Sequence, residues 1–394
     1  MKGSEVPPHM RREEFAPAPE LTRLRTDAPV TKLQIVPGMT VWLVTGYQQA
    51  RQILADHRRF TNGAVPADGS DPQAYQKRVS GGAFITTDPP YHTRLRSMLV
   101  PAFTANRIQR MRPRIEHIVH EHLDSLQDSG APTDLVAEFT DPLPTTIMCD
   151  LLGTPYGPSA KFVRTMMTAL DVAVTREEAY NARAEAYACM TQVVAELYSD
   201  PGDGLLSQLL DEHGDELSGE ELIGLVSMLT LTGYDNPSGT LALAILALLR
   251  HPDQLRILRD TPEYAATAGD ELLRYLSVLH APTLRSARER VTIGDAVLEP
   301  GDPVIVSLPA ANRDESMSRN PDVLDITRDG PPHLTFGHGI HRCLGAPLIR
   351  LELEIAVPAL FRRFPDIRLA VPYDELIFRT TVPTYGLAGL PVTW

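Results

Sequence analysis

Apolar residues recur at helical spacing through most of the chain, and this pattern predicts a mainly α-helical fold with a minor β region. The longest periodic segment begins at a capping box, Ser218–Glu221, and continues to Arg250, where His251 and Pro252 end it. A helix of that length spans about 45–50 Å, enough to cross a domain. Its apolar character predicts a central position. Residues 115–215 predict several shorter helices joined at turns marked by proline and glycine.

Short apolar segments predict the β region. Residues 41–44 form one predicted strand, and a helix is predicted directly after it over Tyr47–Ala55. Residues 281–287 predict a strand that enters the pocket, and the segments 286–310 and 366–394 contain further short strands separated by turns. We therefore expect a small sheet beside the helices.

No composition shift or linker divides the main part of the chain. Residues 1–37 are rich in proline and charge and are predicted to be an irregular arm, followed by a single domain of residues 38–394. Glycine, proline and aspartate dominate residues 60–82, which predicts a long loop. Loops of that length in a compact domain are usually functional or mobile.

Composition limits the partners and the compartment. The 394 residues carry a net charge of −13, which excludes nucleic acid as a general partner and gives no attraction to an anionic membrane. Three widely spaced cysteines in a chain of this size favour a reducing, cytoplasmic setting. The N-terminus has no apolar signal segment, and charged or helix-breaking residues interrupt the apolar runs, so no membrane anchor is expected.

The most informative stretch runs from Phe336 to Gly345 and reads Phe-Gly-His-Gly-Ile-His-Arg-Cys-Leu-Gly. Its three glycines predict a tight turn with positive φ angles. The apolar spacing after Gly345 and the early Pro347 predict an amphipathic helix, so Cys343 should lie just before a helix N-terminus. Backbone N–H groups and the helix dipole lower the pKa of a thiol there, which favours the thiolate that ligates metals.

Two other interpretations of this stretch remain. A lone cysteine in a glycine turn is often a buried apolar residue. A zinc site is weaker, because the spacing matches no closed four-ligand pattern and a Cys-x-x-Cys partner is absent. Its ligands would be His333, His338, His341 and Cys343.

The ten residues resemble the signature of the cytochrome P450 superfamily, Phe-Gly-x-Gly-x-His-x-Cys-x-Gly, at every fixed position. The resemblance implies a haem-thiolate monooxygenase whose single-domain fold places the long central helix over the haem. It makes Cys343 the axial ligand of the iron of haem b, in a cofactor-binding loop that includes Phe336, His341 and Gly345.

A second block, Asp-Pro-Pro-Tyr-His-Thr-Arg-Leu-Arg, occupies residues 88–96. His92 and Arg96 are four residues apart and share one helix face, so they could present two donors to one anion. The resemblance implies that they hold haem propionates, that Arg285 occupies a third such position and that His341 occupies a fourth. Solvated surface charge is the alternative for an isolated pair of this kind.

A third block, Glu-x-x-Arg, is present as Glu271 and Arg274. Residues one helical turn apart can form a local ion pair. The resemblance implies a buried structural network that also includes an arginine near Arg328. This network would stabilise the core behind the haem and take no part in the chemistry.

The central helix is interrupted at residues 231–238, which read Leu-Thr-Gly-Tyr-Asp-Asn-Pro-Ser. Pro237 offers no N–H to the carbonyl of Gly233, which predicts a kink and a groove lined by Gly233. An otherwise ordinary core helix with incidental polar residues is the alternative. The resemblance implies an acid and an alcohol here that deliver protons to oxygen reduced at the haem. Asp235 supplies the acid, but Asn236 stands where the threonine usually is.

Asparagine cannot relay a proton through a hydroxyl. Either Asn236 and a water substitute for the alcohol, or the substrate supplies a hydroxyl, or the reaction needs no oxygen insertion.

The resemblance implies an oxidoreductase that uses dioxygen to hydroxylate or epoxidise a small, secondary-metabolite substrate. Asn236 motivates a second hypothesis, radical coupling of an aromatic substrate without oxygen insertion. A third hypothesis is a non-catalytic haem-binding sensor. Two segments are expected to form part of the pocket, the loop of residues 60–82 as a substrate-contacting lid and residues 382–385 as a lining loop.

Electrons must come from a separate protein, because the chain has no flavin motif and no cysteine cluster for an iron–sulfur centre. The resemblance implies a ferredoxin-type donor with its reductase. A basic run in this acidic chain is one hypothesis for the docking surface, and a solvated helix face is the other. The run consists of Arg107, Arg110, Arg112 and Arg114.

Overall fold

The computed structural model describes residues 6–36, 38–63, 76–77, 81–280, 283–329 and 332–394. The α-helices in these ranges are Pro19–Asp27, Tyr47–Ala55, Tyr91–Leu99, Ala105–Arg110, Arg112–Ser129, Pro142–Leu152, Tyr156–Leu170, Arg176–Ser199, Leu205–His213, Gly219–Arg250, Pro252–Asp260, Ala265–Leu276, Leu308–Ala311 and Ala346–Arg363. The fold is mainly α with a minor β part, as predicted.

Most of the strands are short. A five-stranded mixed sheet has the order Val30–Val36, Met39–Val44, Pro303–Val306, Thr283–Ala287 and Phe60–Thr61. A three-stranded sheet has the order Arg368–Leu369, Pro391–Thr393 and Thr133–Asp134. The two-stranded pairs are Arg12–Glu13 with Ala16–Pro17, Val291–Ile293 with Ala296–Leu298, and Phe378–Arg379 with Gly386–Leu387. The β regions predicted after residue 286 are confirmed.

The central helix, Gly219–Arg250, has the predicted bounds. The Ser218 hydroxyl accepts from the backbone N–H of Glu221, whose carboxylate accepts from the Ser218 N–H, and this capping box satisfies two donors at the helix start. Its second half, from Pro237 to Leu248, is buried without interruption. No helix of the described residues is long and apolar enough to cross a membrane.

The predicted irregular arm is not irregular throughout its described part, residues 6–36. Pro19–Asp27 is a helix with proline in its first turn, where the missing N–H costs nothing. Val30–Val36 is an edge strand that pairs with Met39–Val44 in antiparallel register. The high proline content of this region does not predict a strand. The strand forms because it pairs with another strand, and the β-propensity of its own residues does not show such tertiary pairing.

The predicted ion-pair network is present in the core. Arg274 donates to both carboxylate oxygens of Glu271 at 2.6 and 2.8 Å, and Arg328 donates to Glu271 at 3.1 Å. Arg274 also donates to the backbone carbonyl oxygens of Asn312 and Pro321. The network ties the helix Ala265–Leu276 to the segment that precedes the cysteine loop.

Candidate functional site

The cysteine loop is held by its own backbone. Cys343 donates its N–H to the carbonyl of Phe336 at 2.8 Å, which closes the loop just before the helix Ala346–Arg363. Gly337 and Gly339 have positive φ, as predicted. A Cβ on Gly339 would lie 2.4 Å from the backbone oxygen of Leu54, so only glycine fits there. The loop therefore presents the Cys343 thiol from a fixed backbone.

The expected lowering of the thiol pKa is not found in the chain's own electrostatics. Cys343 opens into a cavity, yet protein atoms surround it, and this desolvation raises its pKa. Backbone N–H groups of Gly345 and Ala346 and the charge of Arg96 act in the opposite direction but are outweighed. Burial was not readable from the loop sequence. Coordination to a metal ion deprotonates a thiol outright, so a thiolate at Cys343 would require a bound metal ion.

The cavity that Cys343 enters has a volume of about 660 Å³. One wall is the cysteine loop, with Phe336, His341 and Gly345, and the facing wall includes Gly233 and Asn236 of the central helix. Apolar side chains cover most of the remaining surface. They include Phe84, Ile85, Met148, Met228, Leu229 and Leu284.

Two arginines and two histidines are gathered at one edge of the cavity. Arg96, Arg285 and His341 line it, and the buried His92 ring lies behind, tilted by 54° to the His341 ring with the two centroids 4.2 Å apart. Burial, together with a smaller effect of neighbouring cations, lowers the pKa of His92 to about 4 and that of His341 to about 3. Burial likewise lowers the pKa of Arg285 to about 10. An anion at this edge would reverse these shifts.

Buried side-chain nitrogens without hydrogen-bond partners indicate which kind of ligand could bind at this edge of the cavity. Both ring nitrogens of His92 and Nε2 of His341 are buried, and among the described residues none of these three atoms has a hydrogen-bond partner. Buried polar atoms are rarely left unpaired in folded proteins. Two carboxylates at the rim of a porphyrin would supply acceptors. The donor set and the facing thiol therefore fit haem.

The polar residues that interrupt the central helix lie on two different sides of it. Gly233 and Asn236 face the cavity, together with Thr232 and Pro237. Asp235 does not line the cavity and is almost fully buried behind the helix. Burial raises the pKa of Asp235 to about 6, against the opposing effects of a Thr384 hydrogen bond and the Arg379 charge. The acid and the amide thus lie in separate environments.

Two residues of the site were missed from the sequence. Thr384 donates to the Asn236 side-chain oxygen at 3.0 Å across 148 positions of sequence, and no local pattern indicates such a contact. Glu352 lines the cavity, and burial raises its pKa to about 8. The signal for Glu352 was its place on the apolar face of the helix Ala346–Arg363.

Other predictions for the pocket have mixed outcomes. The segment 382–385 does not line the cavity but contacts the central helix, where Thr384 donates to the Asn236 side chain. Parts of the predicted lid, residues 64–75 and 78–80, and the start of the predicted strand, residues 281–282, lie outside the described residues. The zinc hypothesis is wrong for the part of the chain that is described, since no cluster of three or more metal-ligating side chains is present there.

The basic run is largely engaged in contacts within the chain. Arg112 pairs with Glu354 at 2.7 Å and Arg114 with Asp150 at 2.6 Å, while Arg107 donates to Gln208. These contacts reduce the free positive charge that a docking surface could use.

Comparison with known proteins identifies a matching family model, related sequences and similar solved structures. The family model described as Cytochrome P450 matches residues 21–260 and 263–367. Cytochrome P450 165B3 of Amycolatopsis orientalis is 39% identical, with 98% of each chain covered. Mycinamicin IV hydroxylase/epoxidase of Micromonospora griseorubida is 37% identical, with 94% of each covered. The solved structure of P450 StaH from glycopeptide antibiotic A47934 biosynthesis has a TM-score of 0.88 at 42% identity, covering 99% of this chain and 100% of that one.

Proposed function

The chain belongs to the cytochrome P450 family, and we propose that it inserts one oxygen atom of dioxygen into a small, neutral, largely apolar substrate by hydroxylation or epoxidation. It is an enzyme of the P450 monooxygenase type, so the hypothesis of a non-catalytic sensor is dropped. The observation that carries the proposal is the cavity itself. A thiol on one wall faces an interrupted helix on the other, and an acid with a raised pKa lies behind that helix.

The chain's own residues have separate tasks in this proposal. Cys343 would ligate the iron, and Arg96, Arg285, His92 and His341 would hold the anionic edge of the porphyrin. When bound, haem with a thiolate ligand supplies the reduction and cleavage of dioxygen. The apolar walls orient the substrate and exclude water.

Proton supply is assigned to the interrupted helix. Burial raises the pKa of Asp235 to about 6, so this carboxyl can take up and release a proton close to neutral pH. Asn236 presents its amide to the cavity at the adjacent position. The overall reaction consumes the substrate, dioxygen, two electrons and two protons, and it yields oxygenated product and water.

The side chains that line the cavity favour a neutral substrate. The charged or ionisable groups of the cavity wall are His338, Glu352, Cys343, Arg96, Arg285 and His341. Away from them the described walls offer mainly apolar side chains and a few neutral polar ones such as Thr86 and Thr232. A relative named as a hydroxylase/epoxidase supports oxygen insertion as the reaction.

Labelled dioxygen tests this function. Purified protein with a reductant and a substrate that perturbs its spectrum should release product that is heavier by one labelled oxygen atom. Product without label would exclude insertion. Substrates are first found by titrating the ferric protein with candidate metabolites and following displacement of the iron-bound water in its spectrum.

Asn236 favours a second candidate function, oxidative coupling of an aromatic substrate. Here two C–H or O–H hydrogens are removed, the two radicals join, and dioxygen is reduced to two waters by these hydrogens together with two electrons and two protons. The helix lacks the alcohol that usually accompanies the acid. A product lighter by two hydrogens and free of label identifies this reaction.

The cofactor and the donor are part of the proposal. We expect haem b, because the cysteine loop holds a single cysteine, the axial ligand, and so offers no thiol pair for covalent attachment. A ferredoxin-type protein with its reductase would supply electrons, since the sequence has no flavin motif or iron–sulfur cysteine cluster. All three cysteines are free thiols, which fits a reducing cytoplasm.

A further inference from the structure

Thr384 lies in the connection between the strands Phe378–Arg379 and Gly386–Leu387, and it is fully buried. Its backbone forms a β-bridge with Leu279, and the flanking Tyr385 N–H donates to Val278 at 2.9 Å. These contacts fix the Thr384 backbone against the segment that follows the helix Ala265–Leu276. The position of its side chain is therefore set by packing on all sides.

The central helix comes very close to this residue. A Cβ on Gly239 would lie 2.8 Å from Cγ2 of Thr384 and 3.1 Å from the carbonyl oxygen of Tyr385. Only glycine permits this approach. The glycine lets the hydroxyl reach the turn of the helix that carries Asp235 and Asn236.

The hydroxyl of Thr384 donates to Oδ1 of Asn236 at 3.0 Å. It is also close enough to the Asp235 carboxyl to stabilise its charged form, in the same direction as the Arg379 charge and opposite to that of Asp141. Oδ1 of Asp235 is buried and, among the described residues, has no hydrogen-bond partner. One alcohol thus stands between a buried acid and an amide that faces the cavity.

We propose that Thr384 supplies, from outside the central helix, the alcohol that is missing at position 236, and that it acts as a positioning residue which couples Asp235 to the orientation of Asn236. The proposal rests on the function proposed above. It accounts for the departure from the family pattern without a substrate hydroxyl.

The coupling follows from hydrogen-bond donors and acceptors. When Asp235 is protonated, its O–H donates to the Thr384 oxygen, and the Thr384 hydrogen is directed to Oδ1 of Asn236. The amide N–H groups then face the cavity as donors. When Asp235 is ionised, it is the stronger acceptor and competes for the Thr384 hydrogen. Asn236 then loses its anchor, so no covalent step is needed for the acid to control the amide.

Thr384→Val removes the hydroxyl and keeps the shape, and Thr384→Ser restores it. Thr381→Val, three positions earlier in the same segment and part-exposed, is the matched control. The probe is carbon monoxide on the reduced haem protein, because its C–O stretching frequency reports hydrogen-bond donors in the cavity. We expect a shifted frequency that no longer varies with pH in Thr384→Val. Wild-type behaviour is expected in Thr384→Ser and Thr381→Val.

Turnover gives the second measurement. Product formed per reductant consumed should fall about fivefold in Thr384→Val, the loss expected for about one hydrogen bond, and should recover in Thr384→Ser. Asn236→Leu should abolish any further effect of Thr384→Val on the carbon monoxide frequency, because both changes break the same contact. Should Thr384→Val fail to retain haem, Thr384→Ala is the second hydroxyl-free variant.

A wild-type carbon monoxide frequency in both hydroxyl-free variants would overturn the inference. So would equal losses in Thr384→Val and Thr384→Ser, since a role in packing alone does not distinguish them in this way. If the wild-type protein consumes no reductant with any ligand, the proposed function fails. The carbon monoxide measurement still decides the role of Thr384 in that case.

Discussion

Asp235 provides a quantitative test, because the structure raises the pKa of a buried carboxyl from 3.8 to about 6. A pKa change of about two units corresponds to about 2–3 kcal/mol between the ionised and neutral forms. Between pH 4 and pH 6 the folded protein holds a proton on Asp235 that the unfolded chain has released. Stability therefore falls as the pH rises through this window. Asp235→Asn removes the titration, so the variant should be about 2–3 kcal/mol more stable than the wild type at pH 7 and about equally stable below pH 4.

The assay is unfolding of the haem-loaded protein at a series of pH values, with wild type and variant compared at each. Asp253→Asn is the matched control, because this side chain is 83% exposed and its ion pair should contribute less than about 1 kcal/mol at any pH. A stability difference for Asp235→Asn that does not change between pH 4 and pH 7 would refute the reasoning. A less stable variant at pH 7 would refute it as well.

Three further substitutions test separate parts of the account. Glu271→Gln leaves Arg274 and Arg328 without their buried counter-charge and should lower the free energy of unfolding by about 3–5 kcal/mol; a loss below about 1 kcal/mol would show that the network is not needed. His92→Leu removes a ring N–H donor beside Arg96 and His341 and should speed haem release to an acceptor protein, whereas an unchanged rate would contradict propionate contact. Asn236→Thr should change the ratio of product to hydrogen peroxide, and an unchanged ratio would exclude the side chain from proton delivery.

Local chemistry made much of the fold predictable. The bounds of the central helix follow from the Ser218–Glu221 capping box and from Pro252, and both are local signals. Glu271 and Arg274 lie one helical turn apart, and their ion pair was predicted together with an arginine near Arg328; the third member is Arg328 itself. Val30–Val36 was missed because its identity as a strand depends on pairing with another strand and not on its own residues.

The site likewise has features that local sequence predicts and features that depend on tertiary packing. The backbone of the cysteine loop follows from its glycines, two of which have the predicted positive φ. The pKa direction of Cys343 was predicted wrongly, because desolvation depends on the surrounding fold. Thr384 could not be predicted, since its contact with Asn236 joins distant parts of the chain. Local rules fail here where tertiary packing decides the chemistry.

The central claim is that Cys343 ligates haem iron through a thiolate in this cavity. The most direct measurement is the absorption spectrum of the reduced carbon monoxide adduct, recorded for the wild type and for Cys343→Ser. We expect the wild type to purify coloured and its adduct to absorb at the long wavelength typical of thiolate ligation, and we expect Cys343→Ser to lose that band. A colourless wild-type protein, an adduct like that of imidazole-ligated haem, or survival of the thiolate band in Cys343→Ser would contradict the claim.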